Sequence, residues 1–190
     1  MTTTTAPVAA TVAPALRRLY FVRFGIALTW AVVLFLTASS IGPVSATLLV
    51  IYPLFDVTAA VVDARSSRAS RPVRGLYVNI AISVIAAVGL VFAVTSGIPA
   101  VLQVWGVWAV LAGLVQLVVA LRRRTLGGQW AMIASGTIST VAGISFFLQA
   151  SVPHSSLNNV AGYALLGGIF FLVSALRLSR STSRSTGGRS

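Results

Sequence analysis

Apolar residues run along this chain in long stretches without the regular polar face of a soluble helix, and the breaks between stretches are short. Six segments stand out, approximately Leu19 to Ala38, Val44 to Ala64, Gly75 to Thr95, Pro99 to Leu121, Gly128 to Ala150 and Asn159 to Leu178. Each is about 20 residues long, enough for an α-helix to cross roughly 30 Å of hydrocarbon. A soluble all-helical core would need a charged outer face on every helix, and whole stretches here carry no charge. The pattern predicts an all-α integral membrane protein with six transmembrane helices.

The breaks alternate in character. Those at Ser39 to Pro43, Ser96 to Pro99 and Ser151 to Asn158 are rich in Ser, Gly and Pro and hold no arginine; those at Arg65 to Arg74 and Arg122 to Thr125 are basic, as are both ends. Positive charge concentrates on the cytoplasmic side of membrane proteins. The alternation therefore predicts a multi-pass topology with both termini and the two basic loops cytoplasmic and three small loops outside. Tyr20, Tyr77 and Trp130 at the inner ends and Trp105 near an outer one suit interfacial belts, while Trp30 and Trp108 lie deeper.

The segments also pair. "LFDVTAAVVDAR", "LAGLVQLVVALR" and "LGGIFFLVSALR" align without gaps and end at Arg65, Arg122 and Arg177. The period is about 56 residues, so the expected architecture is three helical hairpins in parallel repeat about an axis along the membrane normal. Gly106 and Gly113, Gly136 and Gly143, and Ala164 and Gly168 recur at spacings that keep small residues on one helix face, with Ser135 and Ser139 continuing the stripe on the fifth helix. Such faces let backbones approach closely, within one bundle or between copies.

Composition agrees. The chain is 57% hydrophobic and 8% charged, with a mean hydropathy of +0.94, too apolar for an ordinary soluble domain. Its net charge of +12 comes from 14 arginines without a lysine. Such a balance can signal nucleic acid. Here the arginines fall between apolar runs and in the tails, which points to orientation and to anionic lipids at the cytoplasmic face. With no cysteine, disulfides and thiol chemistry are excluded. Residues 1–16 and 179–190 are predicted to be disordered tails, having little to bury, around a six-helix domain over 17–178. The first apolar run is too long for a signal-peptide core, so a retained first helix is expected.

The stretch "FVRFGIALTWAVV" and the helix ends "WAVLAGLVQLVVALRRR" and "YALLGGIFFLVSALRL" resemble the HdeD-like family of small bacterial membrane proteins associated with acid resistance. The resemblance covers roughly residues 17 to 178. It departs from the family in reading Arg23-Phe24-Gly25 in place of adjacent Arg-Gly, and in having Val57 after Asp56 where the family often has glycine. It implies three helical hairpins and a contribution to acid or envelope stress tolerance, and no reaction mechanism.

Both acidic side chains fall in "YPLFDVTAAVVDARSSR". Asp56 is about eight residues, or some 12 Å, from the inner end of the second helix. A bare carboxylate there is costly, so it should face the bundle interior, be paired, or be protonated. Asp63, seven residues on, shares its face, and Tyr52 extends the polar stripe by one turn the other way. Pro53 frees the carbonyl of Leu49 and tends to kink the helix. The nearest candidate counter-charge is Arg23, long enough to reach inward or to snorkel out. Three readings stay open: an Arg23 to Asp56 or Asp63 ion pair, a titrating Asp56 on a proton or solute route, or a protonated, hydrogen-bonded acid. Asn79 and Gln116 are placed to join such a network or simply to bond across a helix contact.

Catalysis is not expected. The only histidine, His154, is predicted in an outer loop while both aspartates lie in the inner half, so neither a Ser-His-Asp arrangement nor a metal site assembles. No Walker loop or dinucleotide fingerprint is present, and no cofactor is expected. His154 is either an ordinary loop residue or a sensor of external acid. Expected partners are the lipid bilayer and a second copy or another membrane protein, not nucleic acid.

Overall fold

The computed structural model describes residues 8–67, 74–122, 124 and 129–186, with side chains left out near the ends of several helices. The outermost tail residues, loop positions 68–73, 123 and 125–128, and the side chain of Asp63 lie outside the described residues. The described residues form six α-helices: α1 (Val8–Leu36), α2 (Pro43–Ser67), α3 (Arg74–Ser96), α4 (Ile98–Arg122), α5 (Trp130–Gln149) and α6 (Asn158–Thr186). Helix continues through Val8 to Leu16 and Ser179 to Thr186, where composition predicts disordered tails. Alanine and arginine are strong helix formers, and a helix needs no apolar face to keep its backbone hydrogen bonds.

Three helical stretches are long and apolar enough to cross a membrane: Gly75–Ser96, Ile98–Arg122 and Trp130–Gln149. Shorter apolar stretches occupy Tyr20–Leu36, Pro43–Thr58 and Asn158–Val173. The distribution of side-chain size supports a bilayer. About half of the buried apolar positions are alanine, including Ala27, Ala31, Ala86, Ala87, Ala109 and Ala164, and beside a buried set that includes Trp105 and Leu34 many large apolar side chains point outward, Ile85 being 71% and Phe92 69% exposed. A water-soluble bundle does the reverse, because burying large apolar groups is what drives it to fold. In lipid that drive is absent, and helices associate by close packing of small residues.

The helices begin and end where local chemistry dictates. Gly97 adopts φ +102, a conformation open to glycine, and so joins α3 to α4 through a single residue. Pro99 then occupies the first turn of α4, where a missing N–H costs nothing. At the start of α2 the Ser45 hydroxyl accepts the Gly42 N–H at 2.9 Å, tying the turn to the helix. Pro53 is buried inside α2, and the helix runs on through it.

The chain divides into two compact units. One comprises residues up to Val33 with those from Ala161 onward, so that α1 packs on α6; the other is Leu34–Val160. In the first, Gly168 faces Ala27 and Phe24, while Phe171 faces Tyr20. As α1 advances from 20 to 27 its partner positions fall from 171 to 168, so the two helices are antiparallel. In the second, α2 packs on α3, α3 on α4 and α4 on α5. The Leu157 N–H also donates to the Ala38 carbonyl at 3.1 Å, pinning the segment after α5 to the one after α1.

The α4–α5 contact is the closest, and its glycines are those singled out by small-residue spacing. A Cβ on Gly106 would lie 2.7 Å from the carbonyl oxygen of Gly143, and one on Gly143 would lie 2.6 Å from that of Gly106. Gly113 and Gly136 meet in the same way, at 2.7 and 2.9 Å. These are contacts with backbone, which cannot swing aside. Gly143→Ala is therefore expected to lower the melting temperature in detergent, at a cost of about 1–3 kcal/mol for overpacking. Gly162→Ala, with open space around it, should stay within about 0.5 kcal/mol. Equal thermal shifts for the two variants would remove close backbone approach as the basis of this contact.

Candidate functional site

Three of the polar residues that sequence places inside apolar helices, Asp56, Asn79 and Tyr52, lie in the α2–α5 unit. Asn79 and Ser83 are one turn apart on α3, and residues at that spacing share a face. Both address Asp56 on α2. Its Oδ2 accepts a hydrogen bond from Asn79 Nδ2 at 2.8 Å and another from the Ser83 hydroxyl at 2.8 Å. The same Ser83 oxygen accepts the indole N–H of Trp108, on α4, at 3.0 Å. One hydroxyl thus uses its hydrogen toward α2 and a lone pair toward α4, so three helices meet on a single atom.

Ser83 is fully buried, Trp108 nearly so, and Asp56 is half-buried. Aromatic rings close the side of the site that lies toward the start of α2. Tyr52, one turn before Asp56, packs against Trp105 and Trp108 with ring centroids 5.3 and 6.0 Å away, and the two tryptophans meet edge to face at 4.9 Å. Rings at these separations touch one another and leave no space for a ligand between them. They exclude water from the hydrogen bonds beside them, which strengthens those bonds.

The expected polar element is therefore distributed as follows. Asp56, Asn79 and Tyr52 lie together around the site. Gln116, half-buried eight residues beyond Trp108 on α4, is not in the network formed by the described residues. Arg23 belongs to the α1–α6 unit, half-buried, with its guanidinium carbon 5.4 Å from the centroid of Phe171. Asp63 has no described side chain. His154 is exposed in the turn between α5 and α6 and adopts φ 58, a left-handed conformation that histidine tolerates better than most residues.

Two members of the site escape a reading of the sequence. Ser83 is a small residue of a kind common at helix contacts, and its signal is the spacing to Asn79 in "NIAIS". The signal of Trp108 is its depth, since an indole away from the interface needs an acceptor inside the bundle. Ser83 and Asp56 are hydrogen-bonded, but no imidazole joins them to make a nucleophile and base. Among the described residues no three metal-ligating side chains gather.

No protein-family model, curated protein or solved structure matches the chain. Its chemistry is read from its own geometry, and the network gives a direct test. Ser83→Ala leaves Trp108 Nε1 without its acceptor and is expected to cost about 1–3 kcal/mol. In a thermal-unfolding double-mutant cycle, Ser83→Ala and Trp108→Phe should couple by about 0.5–3 kcal/mol. Strict additivity would mean that the hydroxyl does not link α3 to α4.

Proposed function

We propose that this chain is a six-span protein of the bacterial inner membrane, of the HdeD-like type, contributing to acid or envelope stress tolerance without catalysis. Its helices form three parallel-repeat hairpins with both termini cytoplasmic, and Asp56 serves to fasten helices. The family and the stress role rest on the resemblance of "FVRFGIALTWAVV" and the helix ends described above.

The observation that carries the architectural part is a correspondence between helix contacts. Aligned on its terminal arginines, the repeat makes Asp56, Gly113 and Gly168 equivalent. Asp56 meets Asn79 and Ser83 on α3. Gly113 meets Gly136 and Thr140 on α5, and Gly168 meets Ala27 and Phe24 on α1. One offset of 57 residues carries Asp56 to Gly113, Asn79 to Gly136 and Ser83 to Thr140. Each second helix of a hairpin thus uses the same position against the first helix of another hairpin. That is what three repeats related by rotation require.

The repeat also explains why a carboxylate is kept. Where the second and third repeats bring helices together through glycine, the first bridges α2 and α3 with Asp56 and its two donors. The carboxylate does at the α2–α3 interface what close backbone approach does at the α4–α5 one.

A second reading, conduction of protons or a small solute past Asp56, is favoured by one feature. The carboxylate is only half-buried, and among the described residues Oδ1 receives no hydrogen bond. A third role, as accessory subunit of a membrane complex, is tested by co-purification of a stoichiometric partner. Proteoliposomes carrying an internal pH dye separate the first two. For a fastener, wild type shows no proton flux above empty vesicles, and Asp56→Asn lowers the melting temperature. Flux in wild type that disappears in a folded Asp56→Asn protein would establish conduction instead.

A further inference from the structure

We infer that Arg23, with Tyr20 beside it and Phe171 beneath it, forms a binding site for the phosphate of an anionic glycerophospholipid at the cytoplasmic face. The inference rests on the proposed topology, which puts the N-terminal end of α1 at that face.

Charge is the first argument. Both carboxylates of the chain's side chains are on α2, and α1 and α6 contain no Asp or Glu. Those two helices nevertheless carry Arg17, Arg18 and Arg23 on one and Arg177, Arg180 and Arg184 on the other. Their antiparallel packing brings the N-terminal end of α1 and the C-terminal end of α6 to the same end of the unit, and neither helix carries an acid. An arginine inside an apolar segment needs a partner. The ring of Phe171 supplies part of one, at 5.4 Å from the guanidinium carbon, but a cation over a ring keeps its net charge.

Geometry is the second argument. Arg23 stands three residues into the apolar stretch that opens at Tyr20, a depth of about 4.5 Å along the helix axis. Helical side chains lean toward the N-terminus. On α1 that direction is toward the headgroups, so a long guanidinium reaches phosphate level by its natural course. Tyr20, three residues before Arg23, shares its face and stacks on the same Phe171 at 6.2 Å, with the rings inclined by 23°. The Phe171 ring thus contacts both side chains, one carrying a planar fork of donors and the other a phenolic hydroxyl. A fork of N–H donors matches phosphate oxygens in pairs.

The repeat adds a third. Position 23 corresponds to Asn79 and Gly136 in the other two repeats. Asn79 has Asp56 across from it, whereas the position on α6 equivalent to Asp56 is Gly168, which meets Ala27 and Phe24. Where the α2–α3 interface carries its own anion, the α1–α6 interface has a cation and no anion. The acyl chains of a bound lipid would lie against the outward apolar side chains of α1, among them Phe21, Val22 and Ile26.

The test is native mass spectrometry of the full chain released from micelles doped with equal amounts of phosphatidylglycerol and phosphatidylcholine. Wild type is expected to retain phosphatidylglycerol in preference. Arg23→Gln should lower that retention by about tenfold, the loss for a charge-assisted pair. Replacing exposed Arg122 and Arg124 together by Gln should change it by no more than about twofold. Tyr20→Phe preserves the stack on Phe171 and should give a smaller loss, so the site remains testable if Arg23→Gln does not fold. Inorganic phosphate should not displace the lipid.

Retention unchanged in both Arg23→Gln and Tyr20→Phe overturns the site, as does displacement by inorganic phosphate, which would mark a soluble-anion site. So does the absence of any preference for phosphatidylglycerol in wild type. The proposed function is judged separately, by proton flux and by the side of the membrane on which the termini react with an impermeant label.

Discussion

The hydroxyl of Ser83 is the point on which the α2–α5 unit depends. Its hydrogen goes to Asp56 at 2.8 Å and its lone pair takes the indole N–H of Trp108 at 3.0 Å. Neither neighbour is satisfied by lipid or by alanine, and in a bilayer the polar groups of a helix have no water to fall back on. The three helices are therefore registered on one buried oxygen. The Tyr52, Trp105 and Trp108 rings pack beside it and keep its surroundings dry. Directional hydrogen bonds fix axial position in a way that contacts among alanine and valine do not, because a smooth apolar face fits its neighbour nearly as well after a small slide.

The α4–α5 contact obtains the same definition by other means. Gly106 with Gly143 and Gly113 with Gly136 lock backbone against backbone, and a slide of one turn would drive side chains into carbonyls. The two devices differ in their dependence on solvent. Backbone contact is insensitive to charge state, whereas the Asp56 interface contains the one described carboxylate of the chain.

The helices themselves were legible in the sequence to within a residue or two where chemistry punctuates the chain. The segment expected over Gly75 to Thr95 is α3 at Arg74–Ser96, and that over Pro99 to Leu121 is α4 at Ile98–Arg122, because Gly97, Pro99 and the arginines leave little freedom at those ends. Asp56 was legible as a group that needs partners inside the bundle; Arg23 was expected first, with Asn79 and Gln116 as further candidates, and the donors are Asn79 and Ser83. Ser83 and Trp108 were not legible. Serine packs equally well as a small residue or as a hydrogen-bonding one, and tryptophan is at home in a core or at an interface. Which helices neighbour each other was also hidden, because every helix offers an apolar face with small residues on it. The division at Val33 and Ala161, which puts the first helix with the last, depends on contacts between Gly168 and Ala27 that no local pattern announces.

If three hairpins began with the same contact, glycine against a small residue is the simplest common form, since it needs no partner chemistry and tolerates drift elsewhere on the helix. Introducing an acid at position 56 is costly alone, because a carboxylate without donors inside the membrane is among the most expensive groups to bury. It becomes tolerable once Asn79 and Ser83 stand opposite. These three side chains therefore form a set whose members are favourable only together. Arg23 lies over Phe171, on a pair of helices with no acid on either. Polar contacts thus define the α2–α3 pair, whereas α4 against α5 is defined by glycine packing that needs no partner chemistry.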